Sequence, residues 1–105
     1  MTTVKFFEKN GQIFGFEVCG HSTVSENDSN GQLVCSAVSS AAYLTANTCI
    51  EIIGAKVISK VEDGLMSIKL KSMVEKSQVV MEGFKLHVTE LAKQYPERIT
   101  VISEV

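Results

Sequence analysis

Two residues in this 105-residue chain have side chains suited to nucleophilic chemistry and lie close enough in sequence to be considered together. Cys35 stands in Val34-Cys35-Ser36-Ala37-Val38-Ser39, and His21 follows Gly20 fourteen residues earlier. A thiol reacts as its thiolate, and a free cysteine titrates near ~8.5 unless a positive environment lowers it. An imidazole is the side chain best placed to take that proton near neutral pH and return it to a leaving amine. A helix opening at about Leu33 would add a second device. The unpaired amides of its first turn, at or just after Cys35, would face a developing oxyanion. Single Cys and His residues are weak signals. On spacing alone the plainer reading is a buried helix cysteine and a surface histidine at a strand end.

The elements that would position this pair follow from periodicity. Val4-Lys5-Phe6-Phe7-Glu8 and Ile13-Phe14-Gly15-Phe16-Glu17-Val18 flank Asn10-Gly11, a two-residue turn in which both residues tolerate positive φ. Alternation places Phe14, Phe16 and Val18 on one face of the second strand, with Cys19 and His21 on the other. The segment Glu26–Gly31 holds only turn formers and reads as an exposed loop. From about Leu33 to Ile53 the period is helical, with Val34, Val38, Ala41, Ala42, Thr45, Cys49, Ile52 and Ile53 on the repeating stripe and Gly54 as the stop. Lys56–Val61 and Leu65–Leu70 alternate as strands around Glu62-Asp63-Gly64. Lys69 and Lys71 read as solvated guards of a strand edge. Ser72-Met73-Val74-Glu75 reads as a capping box. The helix after it carries Val80, Phe84, Val88, Leu91 and Tyr95 on one stripe, and a last strand spans Ile99–Ile102. The order ββαββαβ predicts one α+β domain over residues 1–105, two helices packed on a mainly antiparallel sheet.

The run Gly20-His21, a variable loop, then Val34-Cys35-Ser36-Ala37-Val38-Ser39 resembles the signature of the Prp ribosomal-processing cysteine proteases. The tight match covers Gly20–Ser39; the rest agrees in length and element order. The resemblance implies Cys35 as nucleophile and His21 as base, with Gly20, Ser36 and Ser39 supporting the site or binding substrate. It implies removal of the N-terminal extension of bacterial large-subunit ribosomal protein twenty-seven. It also implies a homodimer, and a mobile loop between the two catalytic residues that shapes the substrate site. Members of that family commonly carry Asp three residues before the cysteine, where this chain has Gln32. That Asp would cap the helix or orient the histidine. Gln32 supplies no charge, and Asp28 or Glu26 are the candidates to substitute. The alternative reading is a catalytically silent module that binds an extended peptide, by adding a strand to the sheet edge. A third is a thiol redox sensor pairing Cys35 with Cys19.

Composition narrows the remaining classes. Ten basic and twelve acidic residues give a formal net charge of −2, so no electrostatic footprint for direct nucleic-acid binding is expected. Neither a signal-peptide core near Met1 nor a membrane-length apolar window is expected. Three cysteines without close pairs do not form a disulfide framework, which suits a reducing cytoplasm. A zinc site from Cys19, His21, Cys35 and His87 is the conceivable metal centre. The absence of a Cys-x-x-Cys pair and the distance of His87 along the second helix count against it, so no metal and no cofactor are expected. Cys49 lies fourteen residues beyond Cys35, roughly 21 Å along a helix, and reads as core.

Overall fold

The computed structural model describes residues 1–21 and 27–105. Residues 22–26 lie outside the described residues, and with them Glu26 and most of the loop expected to be mobile. The order is β1 (Thr2–Lys9), β2 (Gln12–Cys19), α1 (Ser29–Asn47) continued by a π-helical turn (Thr48–Ile53), β3 (Val57–Glu62), β4 (Leu65–Leu70), α2 (Val74–Gln94) and β5 (Ile99–Glu104). This is the predicted ββαββαβ.

The five strands form one sheet in the order β3-β4-β2-β1-β5. All neighbours are antiparallel except β1 and β5, which run parallel. Asn10 and Gly11 both hold positive φ, 54° and 76°, as the tight β1–β2 turn requires. Both helices pack on one face. Phe6 of β1 and Phe16 of β2 meet Phe84 of α2 edge-on, with centroids 5.5 and 4.8 Å apart. Val34, Val38, Ala42 and Ala46 of α1 complete that core, with Met81 and Val88 of α2.

Several expectations are corrected in detail. A register shift after Phe7 breaks the alternation of β2. Phe14 therefore leaves the Phe16 face and packs on Phe7 across the sheet, centroids 6.0 Å apart. Lys69 guards no edge, because β4 is an inner strand; its ammonium lies 4.5 Å from the Phe7 ring centroid. The capping box does not form. Ser72 Oγ accepts from the Lys56 amide at 2.9 Å, and Met73 caps α2 through a left-handed backbone with no side-chain bond. The π turn at Thr48–Ile53 takes more residues per turn than an α-helix, so Ile52 rotates out of the stripe and is 80% exposed.

The continuous helical segment Ser29–Ile53 is, by length and composition, apolar enough to cross a membrane, contrary to the expectation from its sequence. Here its Val34-Val38-Ala42-Ala46-Cys49 stripe is buried against the sheet, the arrangement of a core helix.

Candidate active site

The first turn of α1 begins at Ser29, four residues before the apolar pattern does. Asp28 is the N-cap: its Oδ1 accepts from the Gly31 amide at 3.0 Å. The remaining oxygen, Oδ2, pairs with Nη1 of Arg98 at the approach to β5. Cys35 therefore lies nearly two turns inside α1, where backbone amides are spent on the helix's own carbonyls. The expected oxyanion site at a helix start beside Cys35 is not formed. Turn formers along 27–31 masked a first turn that has no apolar residue to signal it.

His21 sits just past the end of β2, and two hydrogen bonds hold this stretch of backbone. The Gly20 amide donates to the Gly64 carbonyl at 2.9 Å, fastening this strand end to the β3–β4 turn. The Met1 amino nitrogen donates to the His21 carbonyl at 2.7 Å. Gly20 has φ +89°, and a Cβ there would collide with the Met1 carbonyl oxygen. Only glycine combines that backbone conformation with such a close approach of β1. The Gly of the Gly-His pair is thus a packing requirement.

His21 and Cys35 meet across a cleft of about 140 Å³ between the sheet and α1. Gly20 and Ser39 line the same cleft, Ser39 one helical turn after Cys35. Ser36 is exposed and is not among the lining residues, and neither is Gln32. The floor is apolar, from Val18, Val38, Ala42 and Met66, with Val61 at the β3 edge. Tyr43, eight residues after Cys35 on the stripe of Cys35 and Ser39, adds an aromatic wall with a hydroxyl; that spacing was visible in the sequence.

The cleft also takes in the turn that follows β3, which sequence reasoning did not connect with it. Asp63 Oδ1 is 3.9 Å from His21 Nε2, and the imidazole lies over Gly64, where a Cβ would come within 3.2 Å of Nε2. No local pattern reveals this, because it depends on β2 pairing with β4, with Cys19 opposite Leu65.

The other candidate ligands do not join the site. His87 lines a separate groove between α1 and α2, and Cys19 is exposed at the end of β2, outside the cleft lining. Among the described residues no group of three or more His, Cys, Asp or Glu is gathered as a metal site. Cys49 is fully buried; burial pushes its thiol up, partly offset by a hydrogen bond with Ser77.

The fold has counterparts among solved structures. The ribosomal processing protease Prp from S. aureus, with a covalently linked product peptide, matches with TM-score 0.86 and 18% identity over 99% of this chain and 100% of that one. The same protease with a substrate peptide matches at 0.85 and 16% identity, over 99% and 100%. SMU.848 from Streptococcus mutans matches at 0.82 and 26% identity, over 99% of each chain. No protein among the curated relatives matches. The family described as cysteine protease Prp matches residues 1–100. That match takes in both sides of the cleft, the strand end with His21 and the helix with Cys35, and the chain belongs to the cysteine protease Prp family.

Proposed function

We propose that this protein is a cytoplasmic cysteine endopeptidase that trims the N-terminal extension of large-subunit ribosomal protein twenty-seven. The observation that carries this reading is the placement of His21 and Cys35 on opposite walls of one cleft. His21 takes the Cys35 proton, and the thiolate sulfur attacks the scissile carbonyl carbon as the carbonyl π pair moves to oxygen. Collapse of the tetrahedral adduct breaks the C–N bond, and His21 gives its proton to the departing amine. Water, deprotonated by His21, then hydrolyses the thioester and restores both residues. With the α1 amides engaged, the hydroxyls of Ser39 and Tyr43, both on the α1 wall of the cleft, serve as side-chain donors to the oxyanion in this reading. An apolar floor suits an apolar side chain next to the cleaved bond. Peptide complexes of the S. aureus protease support an extended peptide as the partner. A homodimer belongs to this reading, and the exposure of Leu44 on α1 and of Val79 and Leu86 on α2 supports a covered helical face.

The silent peptide-binding module draws on one observation, the position of Cys35 away from the amides at the start of α1. Incubation with a peptide spanning the extension and the first residues of the mature ribosomal protein separates the two. Mass spectrometry of two fragments supports the protease, and binding without fragments supports the module.

A further inference from the structure

We propose that Asp63 is the positioning carboxylate of this site: from the β3–β4 turn it holds His21 through Nε2 and leaves Nδ1 to serve the Cys35 thiol. The inference rests on the reading of His21 as the base and adds the third group that reading lacks.

An imidazole that moves a proton at one nitrogen works best when a partner at the other fixes its tautomer and ring plane. Asp63 Oδ1 lies 3.9 Å from Nε2, within ion-pair reach. Two further contacts make the approach a property of the fold. The Gly20 amide donates to the Gly64 carbonyl at 2.9 Å, so the residue before His21 is fastened to the residue after Asp63. Gly64, at φ +74°, offers no side chain, and the imidazole occupies the space a Cβ would crowd, 3.2 Å from Nε2.

The other carboxylates near the site among the described residues are engaged elsewhere. Asp28 spends one oxygen on the Gly31 amide and the other on Arg98. Glu62 lines the cleft but pairs with Lys60 at 3.7 Å. Gln32 is an amide and lies outside the cleft lining. Among the described residues the carboxylate that faces the imidazole thus comes from the β3–β4 turn rather than from the start of α1. Both partners are largely exposed, so the interaction is screened by salt and contributes little to folding. Its effect falls on the orientation of the imidazole.

Among the described residues, the titratable and charged groups around His21 are Asp63 and Glu62 from the β3–β4 side, Cys35 and Tyr43 from α1, Cys19 on its own strand and the Met1 amino group on its carbonyl. Among these described groups Asp63 is the one whose carboxylate faces the ring at Nε2.

The test uses Asp63→Asn and Asp63→Glu, with Cys35→Ala alongside. Cleavage of the ribosomal extension peptide and iodoacetamide alkylation of Cys35 are both followed against pH. Asp63→Asn is expected to lower kcat/KM roughly 10-fold, within the ~10²-fold span of losing the base itself, with KM unchanged. Iodoacetamide alkylation of Cys35 near neutral pH slows with it, because the imidazole that takes the thiol proton is held less well. Asp63→Glu restores most of the rate. Rising salt slows the parent but not Asp63→Asn. Thermal melting is the same for all, since the Asp63 side chain is fully exposed. Parent-like rate, pH profile and salt dependence in Asp63→Asn overturn the role of Asp63 and leave the Cys-His reading intact. Cleavage retained by Cys35→Ala overturns that reading instead. Equal losses in Asp63→Asn and Asp63→Glu, with lowered melting temperatures, make Asp63 a turn residue only and equally overturn the proposal.

Discussion

Asp28 and Arg98, seventy residues apart, join the start of α1 to the approach of β5 through a charge-assisted bond between Oδ2 and Nη1. The same carboxylate caps α1 through the Gly31 amide, so one residue both begins the helix that carries Cys35 and anchors it to the far side of the sheet. Loss of the cap costs about 0.5–2 kcal/mol. For a domain of this size each kcal/mol lowers Tm by roughly 4–8 °C. Asp28→Ala is expected to melt lower than Asp28→Asn, which keeps an acceptor for Gly31 and loses only the ion pair. Calorimetry of the two variants checks this ordering; equal melting would mean that the cap contributes nothing.

His21→Ala is expected to reduce peptide cleavage by at least ~10²-fold, the lower end for a general base. It should also slow iodoacetamide labelling of Cys35 near neutral pH, since the base that takes the thiol proton is gone. Labelling kinetics over pH, read by intact mass, checks both. A variant with parental labelling and cleavage would reduce His21 to a strand-end residue.

Cys49 supplies a pH effect on stability of definite sign. Burial holds its folded pKa above that of an ordinary free thiol. The stability of its neutral thiol is fully present below that ordinary value. It is lost as pH rises from there through the raised folded value, because the unfolded chain ionises first. Cys49→Ala is therefore expected to melt lower than the parent at pH 8 but to lose less Tm between pH 8 and pH 10. Parallel Tm curves for the two proteins would show that the Cys49 thiol does not titrate differently on folding.

The sequence made the strands, helices and their order readable because alternation, the Asn10-Gly11 turn and the Gly54 stop are local signals. It also pointed to Gly20, His21, Cys35 and Ser39, which one cleft brings together. The misreadings have physical causes. The first turn of α1 is polar, so periodicity could not find it, and that moved Cys35 from a helix end to a helix interior. The bulge after Phe7 and the π turn at Thr48–Ile53 each shift a repeat by a residue, which turned Phe14 and Ile52 away from their expected faces. Asp63 stayed hidden because its nearness to His21 comes from the β2–β4 pairing, a contact between segments more than forty residues apart.

The most direct measurement is intact-mass spectrometry of the parent and Cys35→Ala, each mixed with the extended ribosomal peptide and quenched over time. Replacing a half-buried thiol by a methyl group should leave the fold and circular dichroism unchanged. The parent is expected to show two peptide fragments and a transient acyl adduct that maps to Cys35, and the variant neither. Fragments at parental rate from Cys35→Ala, or an adduct on Cys19 instead, would contradict the assignment of Cys35 as the nucleophile.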